Sequence, residues 1–280
     1  MALLTEADIK ALSEKPVLEE NELLDFHNPP HAFQQMFTGG SFQTSYNEAA
    51  MFLNHMFDRI EEHSGKIDFR GKRIVDFGCG WGRMLRLLRS RPELAEAELF
   101  GCDQHPEALR ICQKTIPNAW FSKTTAYPPC ALRSGFVDIV YAYSVFTHLN
   151  EAPHLLWASE LGRILRPGGY ACVTVQPRDF ISFCKDFREG TRPPKNPWHE
   201  ALAKAFVDDV DCFRRYDAGE IVFDDAVGGA GVGGDVYGDA LAPKAFIEKH
   251  WGRMGFKLVD WFEQSEPFRL QTRALLQKVR

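Results

Sequence analysis

The stretch between residues 73 and 89 constrains this chain most. Ile74 and Val75 lead into Asp76 and Phe77. Gly78, Gly80 and Gly82 then alternate with Cys79 and Trp81, and Met84, Leu85, Leu87 and Leu88 follow at helical spacing. The pattern predicts a buried strand, a tight glycine turn and a helix whose N-terminus points at the turn. Glycine permits positive φ and removes the Cβ that would hold a ligand off the backbone. The start of the helix adds unpaired N–H groups and a partial positive charge. Such a unit is either a cradle for a small ligand with an anionic group or simply a tight structural turn.

Glycine spacing narrows the choice. A dinucleotide fingerprint runs G-x-G-x-x-G/A, which would place its third glycine at Arg83. The third glycine is instead Gly82, giving G-x-G-x-G with Asp76 two residues ahead of it. That spacing resembles motif I of the class I S-adenosylmethionine (SAM)-dependent methyltransferases. The resemblance implies that Asp76 holds the methionine amino group, and that Gly78, Cys79, Gly80 and Gly82 form the turn against which the methionine moiety lies. Trp81 would shape the pocket wall. Arg83 would pair with the SAM carboxylate or with a neighbouring acid.

Residues 98–103 read as a second short strand ending in Asp103, and Pro106 opens a helix with Leu109, Ile111, Cys112 and Ile116 on its buried face. Asp103 stands 21 residues beyond Gly82, where this architecture needs a carboxylate for the ribose hydroxyls. Its other reading is a helix-capping aspartate. Gln104 joins it in the implied cofactor set. A short third strand at 118–121 leads to the loop where the family contacts adenine, and there only Thr124 or Thr125 offers a suitable group, with Thr125 the candidate.

Residues 136–143 form a nearly continuous apolar run, as expected of a strand buried on both faces of a parallel sheet. With 144–149 they resemble the family's fourth strand and the loop after it. Ligands in such sheets bind beyond the carboxyl ends of the strands. Tyr143, Ser144 and Phe146 are therefore cofactor candidates, and His148 is the candidate general base because imidazole titrates near neutrality. The alternative for His148 is a packed histidine bonded to backbone. Tyr141 and Tyr143 share a strand face, so at least one belongs to the core, and Asp138, near the strand's start, is structural.

A helix at 151–165, with Leu155, Leu156, Leu161, Ile164 and Leu165 as its apolar positions, then a Pro167-Gly168-Gly169 turn and a strand at 170–175, form a second match to the family. A helix from Pro243 and two strands joined around Ser265, Glu266 and Pro267 resemble its final antiparallel pair. The expected fold is α/β: a Rossmann-like three-layer α/β/α sandwich with a mostly parallel seven-stranded sheet. Residues 1–65 form an N-terminal helical extension or cap, and 66–280 the methyltransferase domain. In the extension, Ala49, Phe52, Leu53, Met56, Phe57 and Ile60 lie on one face of a helix of about four turns beginning near Tyr46. Phe42, Gln43 and Tyr46 are lesser candidates for cofactor contact. An insertion at about 177–242, between strands five and six, is the substrate region. It contains a helix near 198–210, a turn and strand at 216–223, and a mobile glycine-rich loop at 228–234.

Composition bounds the partners. A formal charge of −5 leaves no basic footprint, so no nucleic acid is expected, and Arg83, Arg86, Arg89 and Arg91 read as one solvated helix face. The seven cysteines are odd in number and scattered, as reduced thiols of a cytoplasmic protein would be. No apolar run approaches the ~20 residues of a membrane span, and no His/Cys spacing suggests a metal. The expected activity is transfer of a methyl group from SAM to a small-molecule or glycan-type acceptor. Two other readings are an NAD(P)-dependent oxidoreductase, disfavoured by Arg83 and by the lack of a Tyr-x-x-x-Lys pair, and a non-catalytic SAM- or partner-binding module. The acceptor atom and the oligomeric state are not legible.

Overall fold

In the computed structural model, residues 3–17, 26–226, 234, 236–263 and 271–280 are described. The chain opens with helices α1 (Glu6–Ser13), α2 (His31–Thr38) and α3 (Phe42–Ser64), followed by strand β1 (Arg73–Phe77), helix α4 (Arg83–Arg89), β2 (Glu98–Asp103), α5 (Pro106–Thr115) and β3 (Ala119–Lys123). Next come β4 (Val137–Ala142), α6 (Glu151–Ile164) and β5 (Leu165–Val175). The segment after β5 holds α7 (Asp179–Arg188), α8 (Pro197–Leu202), α9 (Asp209–Asp217) and the short strands β6 (Val222–Asp224) and β7 (Asp239–Leu241). Helix α10 (Lys244–Arg253) and strands β8 (Phe256–Phe262) and β9 (Thr272–Lys278) close the fold.

Seven strands form one sheet in the order β3-β2-β1-β4-β5-β9-β8. β1 pairs in parallel with β2 and β4, β2 pairs in parallel with β3, and β8 and β9 are antiparallel. The strand order reverses at β1/β4, the place where open α/β sheets bind ligands. All six residues of β4 are buried, which is why that stretch of sequence lacks alternation.

Two compact units make up the chain. The first comprises Met1–Thr125, Pro129–Tyr141 and Ile164–Tyr170; the second comprises Ala126–Pro128, Ala142–Arg163 and Ala171–Arg280. In the first, the apolar face of α3 predicted from the sequence is buried as a stripe, with Tyr46, Ala49, Phe52, Leu53, Met56, Phe57 and Ile60 all below 4% exposure. The helix begins earlier than its periodicity suggests, at Phe42. Asp138 is structural: it accepts from Arg73 N–H (2.9 Å) and pairs with Arg166 (2.7 Å).

The arginines of α4 do not form a solvated face. Arg83 and Arg86 are 8% and 0% exposed. Arg86 donates to the carbonyls of Trp81 and His27 and to Thr115 Oγ1, tying the N-terminal segment to α5. Arg89 reaches the carbonyls of Ala97 and Asn118, and Arg91 pairs with Asp8 at 2.9 Å. Guanidinium has five donors, so it can replace backbone partners that irregular loops lack. Charge alone gave no hint of this.

In the second unit, the insertion brings a small core of its own: Phe180, Ile181, Cys184 and Phe187 of α7 pack with Leu202, Phe206, Val222 and Leu241. The helix expected near 198–210 is two helices, α8 and α9, and the segment at 216–223 is the end of α9 followed by β6. Of the helical positions assigned to the apolar face of α6, Leu156 is 47% exposed, while His154 and Trp157 are buried in its place. The fifth strand starts at Leu165 rather than at Tyr170. Apart from Gly234, the glycine-rich loop at 228–234 lies outside the described residues, as does the turn around Ser265, Glu266 and Pro267.

Candidate active site

The glycine turn between β1 and α4 is held by backbone bonds to the end of β2. Gly78 and Cys79 N–H both donate to Cys102 O (2.7 and 3.0 Å), and Gly82 N–H donates to Cys79 O (2.8 Å). Gly78, Gly80 and Gly82 all have positive φ (79°, 52° and 79°), which an L side chain resists. At Gly82 a Cβ would also come within 2.4 Å of Ile116 Cδ1 and 2.9 Å of Cys112 Sγ, so this glycine lets α5 approach. At Gly80 the edge of Phe37 seals one side of the turn, 3.1 Å from where a Cβ would stand.

Asp103 ends β2 and clamps the turn. Its Oδ2 accepts from Gly80 N–H (2.8 Å) and its Oδ1 from His105 N–H (2.8 Å). Burial pushes its carboxyl above the ordinary range, and these two backbone bonds oppose the rise. A carboxylate offers about four lone-pair sites, so each oxygen keeps one for a further donor. The capping of α5 is done by His105, whose Nδ1 accepts from Ala108 N–H, so Asp103 is not needed for that task. Gln104 is exposed, and Thr124 N–H donates to Asp103 O (2.9 Å) while the side chain of Thr125 is exposed.

Asp76 is 3% exposed at the end of β1, in register with Tyr141 of β4. Burial pushes its carboxyl up to about 8; Arg83 pulls it down, Asp103 adds to the rise, and the Tyr141 hydroxyl opposes it. Arg83 itself is engaged by Glu48 Oε2 (2.6 Å) and Ser45 O (3.1 Å), so its partner is a neighbouring acid. Tyr46 meets the Trp81 ring edge-on at 5.5 Å and gives its hydroxyl hydrogen to Asn28 Oδ1, which is a packing role. Cys79 is buried, and its contact with Cys112 together with burial holds it protonated. Trp81 Nε1 is a buried donor without a hydrogen-bond partner among the described residues.

The second unit holds the other predicted residues. Tyr143 is half-buried. Ser144 has φ 59°; its N–H donates to Thr174 Oγ1 (2.7 Å), and its Oγ accepts from Gln271 Nε2 (3.0 Å). Phe146 is fully buried, 4.8 Å from the ring of His154 and 5.3 Å from that of Trp251, so its face is taken up by core packing. His148 stacks on Tyr237 (4.7 Å, 15°), and its Nδ1 lies 2.8 Å from Gly238 O. Nδ1 is also 3.6 Å from Oδ1 of Asp239, a residue with no exposure. Neither Tyr237 nor Asp239 was legible as a functional candidate. They follow the glycine-rich stretch, where no periodicity marks a strand, and the backbone pairing of 237–240 with 147–149 brings them to His148.

A parallel sheet with an acid at the end of β1, a glycine turn and a second acid at the end of β2 defines a Rossmann-like site for a nucleoside-bearing cofactor. Residues 75–173 match the family model described as a methyltransferase domain. That stretch is therefore a methyltransferase domain of the SAM-dependent kind. Among relatives, the rRNA N(6)-adenosine-methyltransferase metl-5 of Caenorhabditis elegans is 26% identical over 58% of this chain and 73% of its own length. The tRNA (carboxymethyluridine(34)-5-O)-methyltransferase ALKBH8 of Mus musculus is 31% identical over 38% of the chain and 15% of its own length. The trans-aconitate 2-methyltransferase of Methylobacterium nodulans is 32% identical over 38% of each. This chain thus spans well under two thirds of the second and third of these proteins. The crystal structure of the PH0226 protein of Pyrococcus horikoshii shares the fold, with a TM-score of 0.55 and 15% identity over 84% of this chain and 91% of its own.

The nicotinamide reading and the non-catalytic reading give way to this family. The expectation that nucleic acid plays no part is also overturned, because two of these relatives are named for RNA substrates. Net charge could not carry that exclusion: it sums the whole surface, whereas recognising one nucleotide needs only local contacts. Among the described residues no helix is long and apolar enough to cross a membrane, and no group of three or more His, Cys, Asp or Glu side chains is placed to hold a metal.

Proposed function

We propose that this chain transfers the SAM methyl group by in-line displacement to a nucleophilic atom of an acceptor whose proton passes to His148. The observation that carries the cofactor half is the Gly80–Asp103 bond, which aims a buried carboxylate while leaving it acceptor capacity. In this reading Asp103 binds the ribose hydroxyls, with Gln104 beside it. Asp76 receives the methionine ammonium, Gly78, Cys79, Gly80 and Gly82 line the methionine moiety, and Trp81 Nε1 supplies a donor. Thr125 contributes to the adenine end, and Tyr143 and Ser144 complete the proposed cofactor set. SAM supplies a methyl group already activated on a sulfonium, so the protein's work is alignment and proton removal.

Residues 66–280 are the transferase domain in this proposal, 1–65 its helical cap, and 177–242 the region that selects the acceptor. Seven cysteines that form no disulfide support a reducing compartment, the cytoplasm. Relatives named for RNA support an RNA acceptor, and the trans-aconitate relative supports a small organic acid. Incubation with methyl-labelled SAM and, in parallel, total RNA and a deproteinised metabolite extract decides between them. Label in the RNA fraction establishes the first and label in a small molecule the second. Label in neither, with SAM bound, refutes turnover on both classes.

A further inference from the structure

The insertion contributes to the second unit a carboxylate with no evident structural task. Asp239, in the middle of the Tyr237–Leu241 segment that runs beside residues 147–149, is 0% exposed. Gly238 and Ala240 N–H donate to His148 O and Thr147 O (2.9 and 2.8 Å), so this backbone is locked against the loop that carries the histidine. Neither carboxylate oxygen of Asp239 has a hydrogen-bond partner among the described residues. A buried carboxylate left so is costly, and fold stability gives no reason to keep it. His148 Nδ1 lies 3.6 Å from Asp239 Oδ1.

The geometry fixes how His148 would work. A carbonyl oxygen can only accept, so the 2.8 Å contact with Gly238 O puts the hydrogen on Nδ1 and the lone pair of the neutral ring on Nε2. Stacking on Tyr237 at 15° holds the plane of the ring. We infer that Asp239 is a positioning residue which, through its charge, stabilises the imidazolium formed when His148 Nε2 takes the acceptor's proton. The step balances as follows: the acceptor's electron pair forms the new bond to the methyl carbon as the carbon–sulfur bond breaks, and the acceptor's proton moves to Nε2. The charge that leaves the sulfonium then resides on the imidazolium, beside Asp239.

The other groups that face Asp239 are Asp224, in register with it across β6 and β7, and the thiol of Cys184. Asp224 is held by Phe206 N–H and Ala226 N–H (both 2.8 Å). Burial, with Asp224 adding to it, pushes the Asp239 carboxyl up to about 7.

The inference rests on His148 acting as the base, and the test separates the two. The imidazole of His148 is followed by NMR against pH, its signal assigned by loss in His148→Gln. In the unaltered protein the curve should show two inflections, its own and that of Asp239. In Asp239→Asn the midpoint should fall by about one pH unit or more, since an opposite charge a few ångströms away has gone. Asp239→Glu should keep the midpoint near the starting value. A single inflection together with an unmoved midpoint overturns the role of Asp239; should the Asn variant fail to fold, judged by loss of SAM binding, the unaltered protein's curve decides alone. Turnover with labelled SAM and the RNA or metabolite fraction is measured alongside. His148→Gln at full turnover refutes the base reading itself, whereas an inactive His148→Gln with Asp239→Asn at full turnover refutes only the positioning role.

Discussion

Three residues bear the chemistry of the cradle, and each has its own measurable consequence. In the proposed reading Asp103 offers its remaining lone pairs to the ribose, so Asp103→Ala should weaken SAM binding at least 30-fold by calorimetry, the loss of charged hydrogen bonds worth about 2 kcal/mol or more. Unchanged affinity would remove it from the site. Asp76 is raised to about 8 by burial and is therefore mostly protonated at neutral pH when nothing is bound. A ligand ammonium favours the carboxylate, so binding at pH 7 should release up to one proton and tighten as pH rises toward 8. Calorimetry in buffers of different ionisation enthalpy measures the release, which Asp76→Asn should abolish. Gly82 has both a positive φ and a neighbour 2.4 Å from its absent Cβ. Gly82→Ala should cost about 3 kcal/mol in denaturant unfolding, from overpacking and left-handed strain together.

At the scale of elements, α6 and α10 meet through a buried histidine. Trp251 Nε1–H donates to His154 Nε2 (3.1 Å), and the rings of Phe146 and Phe246 flank it. Burial pushes its imidazole down to about 3. In the unfolded chain the same group takes a proton near pH 6.5, so acid favours unfolding from about 6.5 downward, until the folded form also protonates near 3. His154→Gln should remove this dependence, and its stability relative to the unaltered protein should improve by about 1 kcal/mol for each pH unit below 6. Parallel unfolding curves at pH 7 and pH 5 give the result, and an equal difference at both would refute it. The insertion behaves as an element too: its small core around Phe180, Phe206 and Leu241 lets β7 be held in a fixed place without lengthening the main sheet.

For the whole molecule, the order β3-β2-β1-β4-β5-β9-β8 reverses at β1/β4, which is why the proposed cofactor site lies at the carboxyl ends of β1 and β2. Much of this was legible beforehand. The first strand, the two terminal acids and the C-terminal strand pair depend on local pattern, where side-chain period and turn chemistry act within a few residues. Less legible were the interior of the insertion, the beginning of β5 and the inward turn of Arg83 and Arg86, because these depend on which distant backbone groups need partners. The overturned exclusion of nucleic acid belongs to the same class, since charge summed over a chain carries no information on where contacts lie.

By itself, then, the sequence determined the strand, glycine turn and helix at 73–89, because G-x-G-x-G between a strand and a helix is a local steric code. Only the tertiary structure decided that Asp103 is bonded to Gly80 rather than capping α5. It likewise seated Phe146 in the core and brought Asp239 across 91 residues to His148. Burial and proximity set the energy of a carboxylate, and neither is a property of its neighbours in the chain.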